Sequence, residues 1–140
     1  MTVATNRSDG WPQATTVGYA SDGLTLYFFC AKDSQKAANI ARDNRISLTI
    51  DSDTNDPMAI TGLSMAALTA QVTDPREIEK AIGLMAEKYP EYRNIVSGAD
   101  LSQMLVVRAV PEVISILDYS KGFGHSDLVR VDRSDLRAAA

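Results

Sequence analysis

A chain of 140 residues and 15.2 kDa, 45% hydrophobic and 23% charged, suits one domain that buries on the order of two-thirds of its unfolded surface without staples. Its net charge of -4 and pI near 4.9 exclude the broad positive field that nucleic acid attracts, and no apolar run approaches the ~20 residues that span a bilayer. A single cysteine excludes an internal disulfide and, with no basic-then-apolar segment at the start, predicts a cytoplasmic protein.

Thr2–Thr5 has a strand-like pattern, and Ser8-Asp9-Gly10 turns it. Trp11-Pro12 opens a second strand, Gln13–Ala20, which the hairpin signal Asp22-Gly23 joins to a third, Leu24–Ala31. These three predict an antiparallel meander. Asp33 or Ser34 then caps a helix that runs from Ser34 to about Asp43, with Ala37, Ile40 and Ala41 on one side. Asn44 breaks it before Ile46, Leu48 and Ile50 resume the period of two. Asp51–Pro57 reads as a loop.

Between Ile60 and Val72 the apolar parity changes from Leu63, Met65 and Ala67 to Leu68, Ala70 and Val72, which predicts a bulge near Ala66 and Ala67. Such a bulge bends a strand as barrel closure requires. Asp74-Pro75 starts a second helix with an apolar stripe of Ile78, Ile82, Met85 and Tyr89, and Pro90 ends it. Glu91–Asp100 reads as irregular or short helix. Met104–Val110 and Val113–Leu117 form a final strand pair, with Pro111 suited to a bulge, kink or edge. The tail joins an aromatic and glycine cluster, Tyr119 to His125, to a charged end that frays from about residue 126. The whole is one mainly β (α+β) domain, residues 1–140: about six strands in an antiparallel barrel with helical flaps, a two-layer sandwich being the alternative.

The charge around the first helix is unusual. A helix start favours acidic side chains, yet Lys32 and Lys36 bracket this one. Free N–H groups, the Ser34 hydroxyl, the Gln35 amide and two ammonium groups suit a phosphate; a solvated face with Asp33 as partial counter-charge is the plainer account. Cys30, at the end of an apolar strand, reads as a buried small hydrophobe. His125 is the sole histidine, so no zinc spacing exists and no metal site is predicted. No nucleophile elbow, P-loop or dinucleotide fingerprint is present, and no side chain announces itself as catalytic. Thr15 and Thr16 face either solvent or a ligand, and Trp11, Tyr19, Phe28, Phe29 and Tyr119 either pack or line a flat ring. Flavin mononucleotide (FMN) has a ring and a phosphate to match both ends.

The run QATTVGYASDGLTLYFFCAKDSQKAANIARDNRISLTI, with strand, D-G hairpin, aromatic strand, S-x-K helix start and β-rich strand in that order, resembles the pyridoxamine 5'-phosphate oxidase-like, flavin-binding split-barrel family. GLSMAALTAQVTD and VVRAVPEVISILDYSKGFGHSDLV are similar to it too, so the resemblance covers most of the chain. It implies a six-stranded antiparallel split β-barrel with two or three flanking helices, a homodimer with flavin at the subunit interface, and oxidoreductase chemistry on a small molecule. Ser34, Gln35 and Lys36 fall where the family's S-R-K places phosphate ligands, Phe29 and Cys30 where its strand backbone meets the flavin, and Thr15, Thr16 and Val17 on the strand beside the ring. Gln35 replaces the arginine, and Lys32 is the residue able to substitute for it. The R-x-H pair near the oxidase C-terminus is absent, Lys121 and His125 being poor substitutes, which implies a substrate other than pyridoxamine phosphate. Relatives of this fold also use a deazaflavin, bind haem, with His125 as the available imidazole, or hold flavin without turnover.

Overall fold

The computed structural model describes residues 1–91 and 101–138. Its strands are β1 (Thr2–Asn6), β2 (Pro12–Thr16), β3 (Tyr19–Asp22), β4 (Thr25–Ala31), β5 (Arg45–Asp51), β6 (Thr61–Gln71), β7 (Met104–Asp118) and β8 (Ser126–Arg130). Helix α1 (Gln35–Arg42) joins β4 to β5, α2 (Pro75–Lys88) follows β6, and α3 (Arg133–Ala138) follows β8. The expected Glu91–Asp100 segment lies, apart from Glu91, outside the described residues.

The sheet is antiparallel with order β2-β1-β5-β6-β7-β4-β3, and β8 pairs with β7. β2 and β3, at the two ends of that order, are consecutive pieces of one segment. The sheet therefore curls back on itself as a split barrel, six-stranded when β2 and β3 count as one strand that changes partners and β8, off this path, is left out. The single second strand predicted over Gln13–Ala20 is thus corrected: it breaks at Val17-Gly18, where the chain leaves β1 and goes to β4. Val17 N–H still donates to the Met1 carbonyl at 3.0 Å, and the next paired residue, Tyr19, lies opposite Phe28.

The register of β6 on β7 steps between Ala66 and Ala67, opposite Val113 and Pro111. The site of the bulge agrees with the sequence pattern, but the extra residue is the exposed Glu112, in β7. Along β6 the alternation is unbroken, with Met65, Ala67 and Thr69 buried and Leu68 exposed. The parity change belongs to β7, where Val107, Ala109 and Pro111 face inward and then Ile114 does. The predicted final pair is consequently one strand of 15 residues. Where the composition suggests a frayed tail, Ser126–Arg130 lies along the second half of β7.

Two apolar clusters hold the layers together. Inside the barrel Phe28, Leu48, Val3, Met65 and Val107 meet Ala37 and Ile40 of α1, so that helix closes the barrel mouth. Outside it, Tyr27 and Val106 on β4 and β7 are covered by Ala81, Ile78 and Leu84 of α2. Asp74 caps α2 by accepting from Arg76 N–H at 2.9 Å, with Pro75 in the first turn. Glu77 then ties α2 to the sheet, accepting from Tyr27 Oη at 3.0 Å and from Arg108 Nη1 at 2.9 Å.

Candidate functional site

The change of partners within the second segment opens a gap. Pairing of β3 with β4 ends at Phe28, while β2 is paired on its far edge with β1, so residues 13–18 face residues 29–31 across two strand edges with no ladder between them. Backbone donors and acceptors on such edges are free for a ligand. The start of α1 closes the third side. The resulting cavity has a volume of about 440 Å³, with Gln13, Thr15, Thr16, Val17 and Gly18 on one wall, Phe29, Cys30 and Ala31 on the second, and Ser34, Gln35 and Lys36 on the third.

Eight of the nine residues singled out in the sequence line this one cavity. Lys32 does not. It borders a second groove of about 270 Å³ that shares Phe29, where its ammonium donates to the Ser102 carbonyl and its backbone N–H to the Gln103 carbonyl at 2.9 Å. Hydrogen bonds to the segment before β7 hold it there, outside the walls that carry Gln35 and Lys36. The cap of α1 is Ser34 rather than Asp33. Its Oγ accepts from Ala37 N–H at 3.2 Å and donates to the Ala31 carbonyl at 2.7 Å. The Gln35 and Lys36 N–H groups, in the first turn, have no acceptor among the described residues.

Lys36 is the chemically unusual member. It is only 9% exposed and has no hydrogen bond or ion pair among the described residues. Burial pushes its ammonium below the ordinary lysine value, the Cys30 thiol opposing. Cys30 is pushed up by burial, against a hydrogen bond to Ser34 and the charge of Lys36, so it is a weak nucleophile. No acidic side chain lines the cavity. Thr15 Oγ1 is buried with no partner, the one such side-chain atom among the described residues. An unanswered ammonium, an unanswered hydroxyl and free helix N–H groups together suit an oxyanion with an attached polar body.

Sequence reasoning missed Gln13, Gly18 and Ala31 in the walls. Gln13 shares the strand parity of Thr15, so the period of two carried the signal. His125 lines none of these walls; its Nε2 lies 3.2 Å from Asp127 Oδ2, which also accepts from Lys121 at 3.2 Å. Among the described residues no cluster of three or more metal-ligating side chains exists, and no helix is long and apolar enough to cross a membrane.

The family model described as pyridoxamine 5'-phosphate oxidase matches residues 1–117. No curated protein matches the chain. Among solved structures, a heme binding protein from Mycobacterium smegmatis superposes with a TM-score of 0.76 at 21% identity, over 92% of this chain and 51% of that one. This chain thus spans about half the length of that protein. A conserved hypothetical protein from Mycobacterium tuberculosis gives 0.75 at 24% identity over 95% and 84%. HutZ, the heme storage protein from Vibrio cholerae, gives 0.67 at 18% identity over 79% and 80%. At these identities the likeness establishes a shared fold.

Proposed function

The chain belongs to the pyridoxamine 5'-phosphate oxidase family, and from that premise we propose that it binds FMN in the cavity beside α1 and acts as a flavin-dependent oxidoreductase on a small molecule. The observation that carries the reading is Lys36, buried, facing the cavity and lacking any acceptor or counter-ion among the described residues. A phosphate at the helix start would supply that counter-charge and also take the free N–H groups of Gln35 and Lys36. The cavity volume of about 440 Å³ lies within the range of about 300–1,000 Å³ usual for small-molecule sites. Thr15 Oγ1 and the facing strand edges would bond the polar body and ring rim. The flavin supplies the electron chemistry when bound, and the chain's residues orient it and balance its charge.

Gln35 in place of an arginine removes a bidentate donor, so phosphate binding would lean on Lys36. The substrate we propose is not pyridoxamine phosphate: Lys121 and His125, the basic side chains between β7 and β8, are tied to Asp127. The gap is open to one side, and a second copy of the chain, in a homodimer, would close it.

An absorbance spectrum of the purified protein should show flavin or acquire it on titration, and Lys36→Ala should weaken FMN more than riboflavin, which has no phosphate. Equal losses for the two ligands would remove the phosphate from this corner. Haem is the second reading, favoured by the haem-binding proteins from M. smegmatis and V. cholerae that share the fold. It requires His125, the sole histidine, as the imidazole ligand, so a Soret band that survives His125→Ala would dismiss that assignment.

A further inference from the structure

Behind the cavity lies Asn39, on the inner face of α1 and only 1% exposed. Its Nδ2 donates to Thr5 Oγ1 at 2.9 Å and to Gln13 Oε1 at 3.2 Å, and its Oδ1 accepts from Gln35 Nε2 at 2.9 Å. A carboxamide has two N–H donors and one carbonyl, so each of these groups is engaged. A bond to Thr5 alone would serve to pin α1 on β1. Instead, two of the three contacts go to glutamines that line the cavity.

We propose that Asn39 is a positioning residue that sets the hydrogen-bonding polarity of the cavity wall. By taking the Gln13 carbonyl oxygen it turns the Gln13 NH2 toward the cavity, and by accepting one N–H from Gln35 it leaves that residue's carbonyl and second N–H on the open side. The three amides are coupled. Reversing Asn39 alone would set its Oδ1 against Gln13 Oε1, acceptor against acceptor, so Gln13 cannot offer its carbonyl to a ligand unless the others turn with it. With Lys36 beside it and no acidic side chain in the lining, a wall polarised this way selects an acceptor-rich ligand, a phosphate ester or polyol, over one that presents donors. The identity of that ligand as FMN rests on the function proposed above; the orientation of Gln13 does not.

Two measurements separate these. In the native chain without ligand, side-chain amide exchange followed by NMR should show both Asn39 Nδ2 protons protected and the Gln13 Nε2 protons exchanging freely. Protected Gln13 protons overturn the proposal even if flavin binds well. With FMN as probe, Gln13→Leu and Asn39→Leu should each weaken binding about tenfold, the loss of one hydrogen bond, and the double variant should be no weaker than either. Losses that multiply to about a hundredfold would give Asn39 a purely structural role. If the native chain takes up no FMN, the flavin reading fails while the exchange result still decides the orientation, and it does so without variants that might lose the fold.

Discussion

An ammonium group that loses part of its water without gaining a partner shifts toward its neutral form, and Lys36 does this in the wall of the cavity. A bound phosphate would restore the missing counter-charge. Where Lys36 is partly neutral, binding then takes up a proton, so FMN affinity should fall as pH rises through the lowered value, at a lower pH than the 10.5 of an ordinary lysine. Titrations across the alkaline range should show this decline in the native chain and a flatter profile in Lys36→Met; identical profiles would dissociate the group from the ligand. Ser34→Ala should cost about 0.5–2 kcal/mol through loss of the cap, read by chemical denaturation. Charge at an unusual place made Lys36 and Ser34 legible in the sequence. The position of Lys32 was not legible, because the charge pattern says nothing about which groove beside Phe29 the side chain borders, and here the Ser102 and Gln103 carbonyls hold it. Asn39 gave no signal, since an asparagine within a helix reads as a neutral polar choice until its three partners are visible.

Secondary structure was legible wherever local chemistry sets it. The Asp22-Gly23 hairpin, the Pro75 helix start and the bulge beside Ala66 all stand where turn and parity arguments put them. Partner exchange was not legible, because the segment from Gln13 to Ala20 stays extended on both sides of Gly18 and only long-range pairing shows that it changes edges. For the same reason the parity change was credited to β6 when the extra residue, Glu112, sits across the ladder. Strand β8 is short, exposed and charged, and nothing local distinguishes it from a tail. The attachment of α2 invites a test. Tyr27 Oη, pushed up to about 12 chiefly by burial and then by its hydrogen bond to Glu77, stays protonated in the fold at a pH where an unfolded tyrosine, near 10, has ionised. The sign follows: the native state holds more protons between those values, so stability should fall as pH climbs through that window. Tyr27→Phe should remove that part of the decline in alkaline denaturation curves. At neutral pH, Glu77→Ala should cost about 1–3 kcal/mol, because it strands the buried Tyr27 hydroxyl.

At the scale of the molecule the barrel and its gap have one origin. A single segment supplies both ends of the sheet, and the place where it changes edges is where two strands part and a cavity forms. Nothing else in the chain has to be strained to make the site: among the described residues no non-glycine residue has positive φ and no peptide bond is cis. A gap made this way has walls on three sides and an open fourth. If a second copy supplies that fourth wall, flavin binding and dimerisation are linked, since each stabilises the state the other needs. FMN should then be held more tightly at protein concentrations where the dimer persists, and dilution should release flavin as the subunits part. Sedimentation velocity followed at the flavin absorbance tests this directly: the colour should travel with the dimer and lag free in solution once only monomer remains. Flavin that sediments with monomer, at undiminished affinity, would mean that three walls suffice and that the open side serves the substrate instead.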